Sequence, residues 1–113
     1  IVAAADAFIF VTPEYDYFPP AALVNAVQFL SREWSRKPAG IVSYGGISGG
    51  LRSTQALRLL LSGVNLMTLS NSVPLPQFTQ FLGESGALHP TEPMSKGLTS
   101  LIKDLHDFFS GRG

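Results

Sequence analysis

Several kinds of site and partner are excluded by what this 113-residue chain lacks. It contains no cysteine, which rules out disulfides, thiol nucleophiles and thiolate metal sites. Only 14% of its residues are charged, and eight basic side chains balance eight acidic ones. This neutrality argues against nucleic acid or an acidic membrane as a partner. No apolar run approaches the roughly 20 residues of a transmembrane helix. The compartment is not fixed by cysteine usage, and we expect the cytoplasm by default.

Three apolar runs along the chain predict buried strands. The first, residues 7–11, is continuously apolar and rich in phenylalanine, isoleucine and valine. Residues 41–42 make a short second strand, and residues 65–73 contain a third whose ends are less clear. Such runs are typical of parallel strands that are covered on both faces of a sheet.

Apolar residues at helical spacing predict a helix after each strand. The first helix is expected over about residues 20–31, ending before Pro38. Its buried stripe should contain Leu23, Ala26, Val27, Leu30 and Trp34. A second helix carries the stripe from Leu57 to Val64, and a last one covers residues 98–109, after an irregular segment at residues 74–93. Strands alternating with single helices indicate one α/β domain, residues 1–113, with a parallel sheet.

The first predicted strand runs directly into an unusual polar segment, residues 12–17, which we call the first loop. Pro13 removes a backbone donor and stops the strand at Thr12. The next four residues offer backbone N–H groups and two aromatic rings at the sheet edge: Glu14, Tyr15, Asp16 and Tyr17. A planar heteroaromatic ligand needs that combination. The alternative is a simple turn before the next helix, with the tyrosine rings packed on the core.

The second predicted strand opens into a glycine-rich segment, residues 43–50, which we call the second loop. Four of its last six residues are glycine, and glycine permits positive φ and close approach of the backbone to a ligand. A glycine-rich loop before a helix can also cradle a phosphate, but the spacing matches neither common phosphate-binding motif. Simple turn chemistry explains this loop equally well when it is taken alone. The pairing of both loops at successive strand ends is what favours a ligand site.

Residues 5–17 of the chain, Ala-Asp-Ala-Phe-Ile-Phe-Val-Thr-Pro-Glu-Tyr-Asp-Tyr, resemble the signature of NADPH-dependent FMN reductases. Two further segments are similar to that family: residues 23–26 to its Leu-Lys-Asn-Ala helix, and residues 43–52 to its second flavin loop. The resemblance extends from Ala5 to about Pro76. It implies a flavodoxin-like three-layer α/β sandwich, of which this chain covers about strands 3–5 and their helices.

The resemblance also implies a cofactor, a reaction and a set of binding residues. The cofactors would be FMN, bound non-covalently, and NADPH or NADH. A hydride would pass from the nicotinamide to the flavin and then to a small acceptor such as a quinone, an azo compound or free flavin. The protein would orient the flavin and tune its electrostatics, so no catalytic side chain is named. The flavin-binding residues would be Pro13, Glu14, Tyr15, Asp16, Tyr17, Ser43, Tyr44, Gly45 and Gly46. The family also implies a homodimer or homotetramer.

Two departures from the family pattern bear on flavin binding. Asp16 stands where the family usually has asparagine, and a carboxylate there would lose amide donors and add negative charge near the ring. The family's amino-terminal phosphate-binding loop, of the Gly-Ser-x-Arg-x-x-Ser type, has no counterpart in this chain. We therefore expect the chain to be the carboxyl-terminal part of a longer protein. If it instead holds FMN unaided, residues 45–50 are the best candidates for gripping the phosphate.

Two other functions and one other kind of site are weighed against this interpretation. A flavodoxin-type carrier would bind FMN and pass single electrons to proteins, but such carriers are typically strongly acidic, unlike this chain. A flavin-free α/β interaction module would keep only the fold. His89 and His106 lack an acidic partner at the spacing of a metal site, so we predict no metal.

Overall fold

The computed structural model describes residues 1–110 and contains four strands and three helices. The strands are β1 (Phe8–Pro13), β2 (Pro38–Gly45), β3 (Met67–Thr68) and β4 (Val73–Pro76). The helices are α1 (Ala21–Phe29), α2 (Leu51–Gly63) and α3 (Glu92–Phe109), and one 3₁₀ turn covers Phe78–Phe81.

All strand pairs in the sheet are parallel, and β2 lies at its centre. β1 pairs with one side of β2, while β3 and β4 follow one another along the other side. β1 has no strand on its outer side among residues 1–110. Its residues Ile9 and Val11, which alternate with Phe8 and Phe10 and so point to the α3 face of the sheet, are 46% and 62% exposed. The predicted α/β fold with a parallel sheet is therefore confirmed, with β1 as the outermost strand on one side.

Helices cover both faces of the sheet and give it two cores. On one face, Val27 of α1 and Leu57 and Leu61 of α2 pack with Ala39 and Ile41 of β2. On the other face, residues of α3 pack against alternate residues of β2 and against β4: Met94, Leu101, Val42, Val73 and Leu75. This alternation of side chains along β2 follows from the period of two in a strand and produces three layers.

Gly40 shows how closely the third layer approaches the sheet. A Cβ atom at this position would lie 2.6 Å from Cδ1 of Leu101, which is 1% exposed in α3. Glycine in β2 thus makes room for the buried leucine that anchors α3.

The third strand differs from its prediction over residues 65–73. It is divided into β3 and β4, and β4 continues through Pro74 and Pro76 into the segment that was predicted to be irregular. Prolines donate no hydrogen bond, which is tolerated because β4 pairs with a neighbour on one side only. Its apolar residues Val73 and Leu75 are buried while the two prolines are half-buried.

Two helix boundaries also differ from the sequence-based predictions. α1 ends at Phe29, and Ala26 is exposed, so the predicted stripe is not continuous. Trp34 nevertheless lies in the core, where its indole N–H donates to the carbonyl of Val27 at 2.9 Å. α3 begins at Glu92 because the hydroxyl of Thr91 caps it by accepting the N–H of Met94. Within residues 1–110, none of the helices combines the length and hydropathy required to cross a membrane.

Candidate functional site

The two predicted loops leave the sheet side by side. In the parallel pairing of β1 with β2, Thr12 lies opposite Ser43 and Pro13 lies opposite Tyr44. The first loop therefore starts at the same edge of the sheet as the second. The carboxyl ends of parallel strands form the edge where ligands bind in open α/β sheets.

The first loop forms a tight turn at residues 15–18. The N–H of Tyr15 donates to the carbonyl of Phe18 at 2.8 Å, and the N–H of Phe18 donates back at 2.9 Å. The two central residues, Asp16 and Tyr17, have φ values of 52° and 69°, as in the two-residue turns of β-hairpins. Residues Tyr15, Tyr17 and Phe18 are 61%, 65% and 53% exposed, so the tyrosines are not packed on the core. The N–H group of Tyr15 is thus used within the turn. The N–H groups of Asp16 and Tyr17 take no part in these two hydrogen bonds.

Glu14 connects the first loop to the beginning of α2. Its Oε1 accepts the backbone N–H groups of Arg52 at 3.0 Å and Ser53 at 3.1 Å. The first turn of α2 contains no acidic residue, and Gly50 at its N-cap has no side chain to accept these donors. A carboxylate at this end of a helix satisfies otherwise unpaired N–H groups and is favoured by the helix dipole. Glu14 therefore caps a helix that lies far from it in the sequence.

Arg52 extends this connection to the turn. Its guanidinium lies 3.4 Å from Oε2 of Glu14 and 4.4 Å from the centre of the Tyr17 ring. The side chain of Glu14 is only 13% exposed, whereas that of Arg52 is 54% exposed. One arginine thus contacts both the acidic residue and an aromatic ring of the first loop.

Buried hydroxyl groups hold the strand ends under the loops. The Ser53 hydroxyl donates to the carbonyl of Pro13 at 2.9 Å and lies 3.4 Å from that of Thr12. The Ser43 hydroxyl donates to the carbonyl of Gly49 at 2.7 Å. All three hydroxyl-bearing residues are fully buried. Ser43, a predicted flavin-binding residue, therefore shapes the second loop from beneath.

The second loop is folded back on itself by its glycines. Gly50 has a φ of 84°, and a Cβ there would lie 2.8 Å from Cβ of Ser43 and 2.9 Å from the Tyr44 carbonyl oxygen. Gly46, by contrast, faces open space, with no atom within 4 Å of the position of a Cβ. The loop therefore presents its backbone at Gly46 without a side chain in front of it.

An apolar groove of about 390 Å³ lies beside the loops, on the α3 face of the sheet. Tyr44 stands in it and makes an edge-to-face contact with Phe78, with ring centres 4.9 Å apart. The remaining lining residues are small or apolar: Val11, Leu75, Leu82, Gly86 and Leu88. The groove and the exposed tyrosines together offer surfaces suited to a flat aromatic molecule.

The structure brings all the sequence-predicted site residues to this one edge of the sheet. They are Pro13, Glu14, Tyr15, Asp16, Tyr17, Ser43, Tyr44, Gly45 and Gly46. Neither Ser53 nor the capping role of Glu14 was predicted from the sequence. One signal was available: α2 starts with a glycine cap and no acid of its own, so its first donors require a carboxylate from another segment.

The beginning of α2 is a poor place for a phosphate. Glycine-rich loops that precede helices bind phosphate through unpaired N–H groups. Here the Glu14 carboxylate already accepts the N–H groups of Arg52 and Ser53. A phosphate would have to displace this internal anion, which argues against residues 45–50 as the phosphate site.

Residues 46–50 also have the Gly-x-Ser-x-Gly spacing of a hydrolase nucleophile turn. In such turns the serine itself is strained, whereas here the positive φ values belong to Gly49 and Gly50. Within the described residues Ser48 has no hydrogen bond to a histidine, and His89 and His106 are both exposed. The same part of the chain contains no group of three residues placed to hold a metal ion.

A family model described as NADPH-dependent FMN reductase matches residues 1–80. The chain belongs to this family. An NAD(P)H-dependent FMN reductase of Schizosaccharomyces pombe is 36% identical over 107 residues, which cover 95% of this chain and 52% of the relative. The NAD(P)H-dependent FMN reductase LOT6 of Saccharomyces cerevisiae is 40% identical over 85 residues, 68% of this chain and 44% of the relative. The chain thus spans about half the length of these curated relatives.

Among solved structures, this member of the FMN reductase family is similar to the flavoenzyme NAD(P)H:(acceptor) oxidoreductase FerB from Paracoccus denitrificans. The TM-score is 0.78 with 22% sequence identity, and the match covers 99% of this chain and 65% of the other. At this identity the likeness concerns the fold, and it agrees with a flavodoxin-like arrangement of sheet and helices.

Proposed function

We propose that this chain forms the flavin-ring site of an FMN-dependent NAD(P)H oxidoreductase. The observation that carries the proposal is the joining of the two loops at one sheet edge by Glu14 and α2. That edge combines exposed aromatic rings, an open backbone at Gly46 and an apolar groove. Membership of the FMN reductase family, with relatives named as NAD(P)H-dependent FMN reductases, supports the same cofactors.

The residues present fit the flavin ring better than its phosphate. When bound, FMN would supply the redox chemistry, which is the transfer of a hydride from NADPH or NADH to an acceptor. The chain's own residues would orient the ring: the first loop with aromatic faces and backbone donors, and the second with the backbone of Gly45 and Gly46. The start of α2, which follows the second loop, is capped by Glu14, so the phosphate would be held by groups other than these N–H groups.

As the acceptor we propose a small aromatic molecule such as a quinone, an azo compound or free flavin. The apolar lining of the groove beside Tyr44 supports this class, and a relative in Arabidopsis thaliana is named NADPH:quinone oxidoreductase. Within the same proposal the protein works in the cytoplasm as a homodimer or homotetramer. Steady-state oxidation of NADPH with a quinone distinguishes this enzyme from a flavodoxin-type carrier, and the absorbance spectrum of the purified protein distinguishes both from a flavin-free module.

Gly46 provides a sharp test of the ring site. In Gly46→Val the added side chain meets no protein atom within 4 Å, so the fold should persist while the ring loses its approach to the backbone. We expect FMN to bind at least about tenfold more weakly, which is ~1.4 kcal/mol. Affinity is measured by flavin fluorescence titration of the full-length native protein.

Gly63 supplies a matched control at the opposite end of α2. A Cβ there also meets nothing within 4 Å, so Gly63→Val introduces the same side chain away from both loops. This variant should bind FMN as the wild type does. Equal affinities in both variants would show that the second loop does not approach the flavin.

A further inference from the structure

The turn at residues 15–18 is held in a conformation that its own residues disfavour. Asp16 and Tyr17 both have positive φ, and outside glycine this region costs roughly 1–2 kcal/mol per residue. Asparagine and aspartate tolerate it best, whereas a bulky residue such as Tyr17 rarely adopts it. Two backbone hydrogen bonds close the turn. Contacts from outside the turn are therefore expected to stabilise it.

Those contacts come from Glu14 and Arg52. The carboxylate of Glu14 accepts two N–H groups of α2 and faces the Arg52 guanidinium, all within 3.4 Å. Hydrogen bonds to an ionised group are roughly twice as strong as neutral ones. The side chain of Glu14 is only 13% exposed, while that of Arg52 is 54% exposed. The guanidinium also lies over the Tyr17 ring in cation–π geometry.

We propose that Glu14 and Arg52 are positioning residues that fix the first loop against α2 and thereby set the spacing between the two flavin loops. The inference rests on the proposed function, since that spacing matters only if a ring binds between the loops. Both oxygens of Glu14 face donors of α2 or Arg52, which suits a structural connection and leaves no free oxygen for proton transfer. A ligand site whose two sides are joined in advance loses less conformational freedom on binding.

The experiment compares Glu14→Ala, Glu14→Gln and Arg52→Ala in the full-length native protein. FMN and riboflavin, which lacks the phosphate, are titrated separately, and thermal melting checks that each variant folds. Glu14→Ala should weaken both ligands by the same factor, about tenfold or ~1.4 kcal/mol. Glu14→Gln keeps an oxygen that accepts the N–H groups of Arg52 and Ser53, although its amide nitrogen cannot accept from the Arg52 guanidinium, so it should lose less affinity than Glu14→Ala. Arg52→Ala should also weaken both ligands equally.

Two residues of α3 serve as matched controls. Glu92 is an acidic residue in the first turn of α3, and it pairs with Lys96 at 3.2 Å. Because this pair is exposed on α3, Glu92→Ala and Lys96→Ala remove the same kinds of charge without touching either loop. Both variants should bind the two flavins like the wild type.

Each other outcome overturns a definite part of the proposal. Weaker binding of FMN with unchanged riboflavin would assign these residues to the phosphate and not to the ring. If Glu14→Ala and Glu14→Gln lose the same flavin affinity, then the negative charge of Glu14 determines that affinity and the positioning of the loop does not. Unchanged flavin affinity in Glu14→Ala and Arg52→Ala would refute the inference while leaving the proposed function intact. A wild-type protein that binds neither flavin would remove the proposed function as well. If Glu14→Ala does not fold, the flavin affinities of Glu14→Gln and Arg52→Ala still test the inference.

Discussion

Asp16 illustrates how the backbone can favour particular residues in the candidate site. Its φ of 52° lies in the left-handed region, which asparagine and aspartate adopt more readily than most residues. The resemblance to the FMN reductases marked this position as a departure, because aspartate replaces the usual asparagine. The turn accommodates both residues, so the exchange changes charge without changing the backbone that the turn requires.

We predict that Asp16→Asn raises the midpoint potential of the bound flavin. A negative charge near the ring opposes its reduction, and the substitution removes that charge while keeping the turn. The measurement is a redox titration of the flavin-loaded protein, with Asp6→Asn as a control at an exposed residue before β1. A midpoint potential equal to that of the wild type would mean that the Asp16 carboxylate points away from the ring.

Glu14 shows why part of the site escapes a reading of the sequence. The Thr-Pro-Glu-Tyr segment identifies the first loop, and its aromatic rings are exposed as a ligand site requires. The capping of α2 by Glu14 joins residues separated by 38 positions. The glycine cap of α2 signals the need for a distant carboxylate, but which one supplies it depends on the parallel pairing that places β1 beside β2. The same dependence holds for Ser53, whose hydroxyl reaches the carbonyl of Pro13.

At the scale of whole elements, patterns of apolar residues predicted β1, β2 and the existence of each helix. They did less well where chemistry other than periodicity decides. Thr91 begins α3 earlier than its apolar stripe suggests, because a side-chain cap extends the helix by its first turns. β4 includes two prolines that the sequence analysis assigned to an irregular segment. Its position at a sheet edge makes them acceptable, and this position is known only from the assembled sheet.

Gly50 determines how β2 is connected to α2, and we predict that replacing it destabilises the protein. Alanine at a φ of 84° is strained, and its Cβ would lie within 3 Å of the Tyr44 backbone oxygen and of the Ser43 side chain. Gly50→Ala should lower the free energy of unfolding by about 2 kcal/mol or more. Urea denaturation measures this difference.

Gly63→Ala is the control for that substitution on the same helix. Its Cβ meets no atom within 4 Å, and alanine is a better helix former than glycine by about 1 kcal/mol. We therefore expect this variant to be as stable as the wild type or slightly more stable. If Gly50→Ala unfolds at the same urea concentration as Gly63→Ala, the close packing of Gly50 against Ser43 and Tyr44 does not limit stability.

At the scale of the whole molecule, the outer edge of β1 is the feature that bears on association with other chains. Its far side carries unpaired backbone groups within the part of the chain that the structure describes. Ile9 and Val11 stand exposed on the same strand, whereas Phe8 and Phe10 pack towards Trp34. An exposed apolar edge strand is a template for pairing with another chain. The 113 residues produced alone are therefore expected to self-associate.

We predict that lysines on this edge keep the 113-residue chain soluble. In the double substitution Ile9→Lys and Val11→Lys, charge on β1 should oppose pairing between edges, as it does in natural edge strands. Sedimentation velocity at several protein concentrations compares this variant with the unmodified chain. The control is Ile102→Lys on α3, where a 59% exposed isoleucine lies on a helix and not on a strand edge. We expect the control to self-associate like the unmodified chain, since it leaves the edge unchanged. A monomeric unmodified chain, or equal solubility of both variants, would mean that the edge of β1 does not drive association.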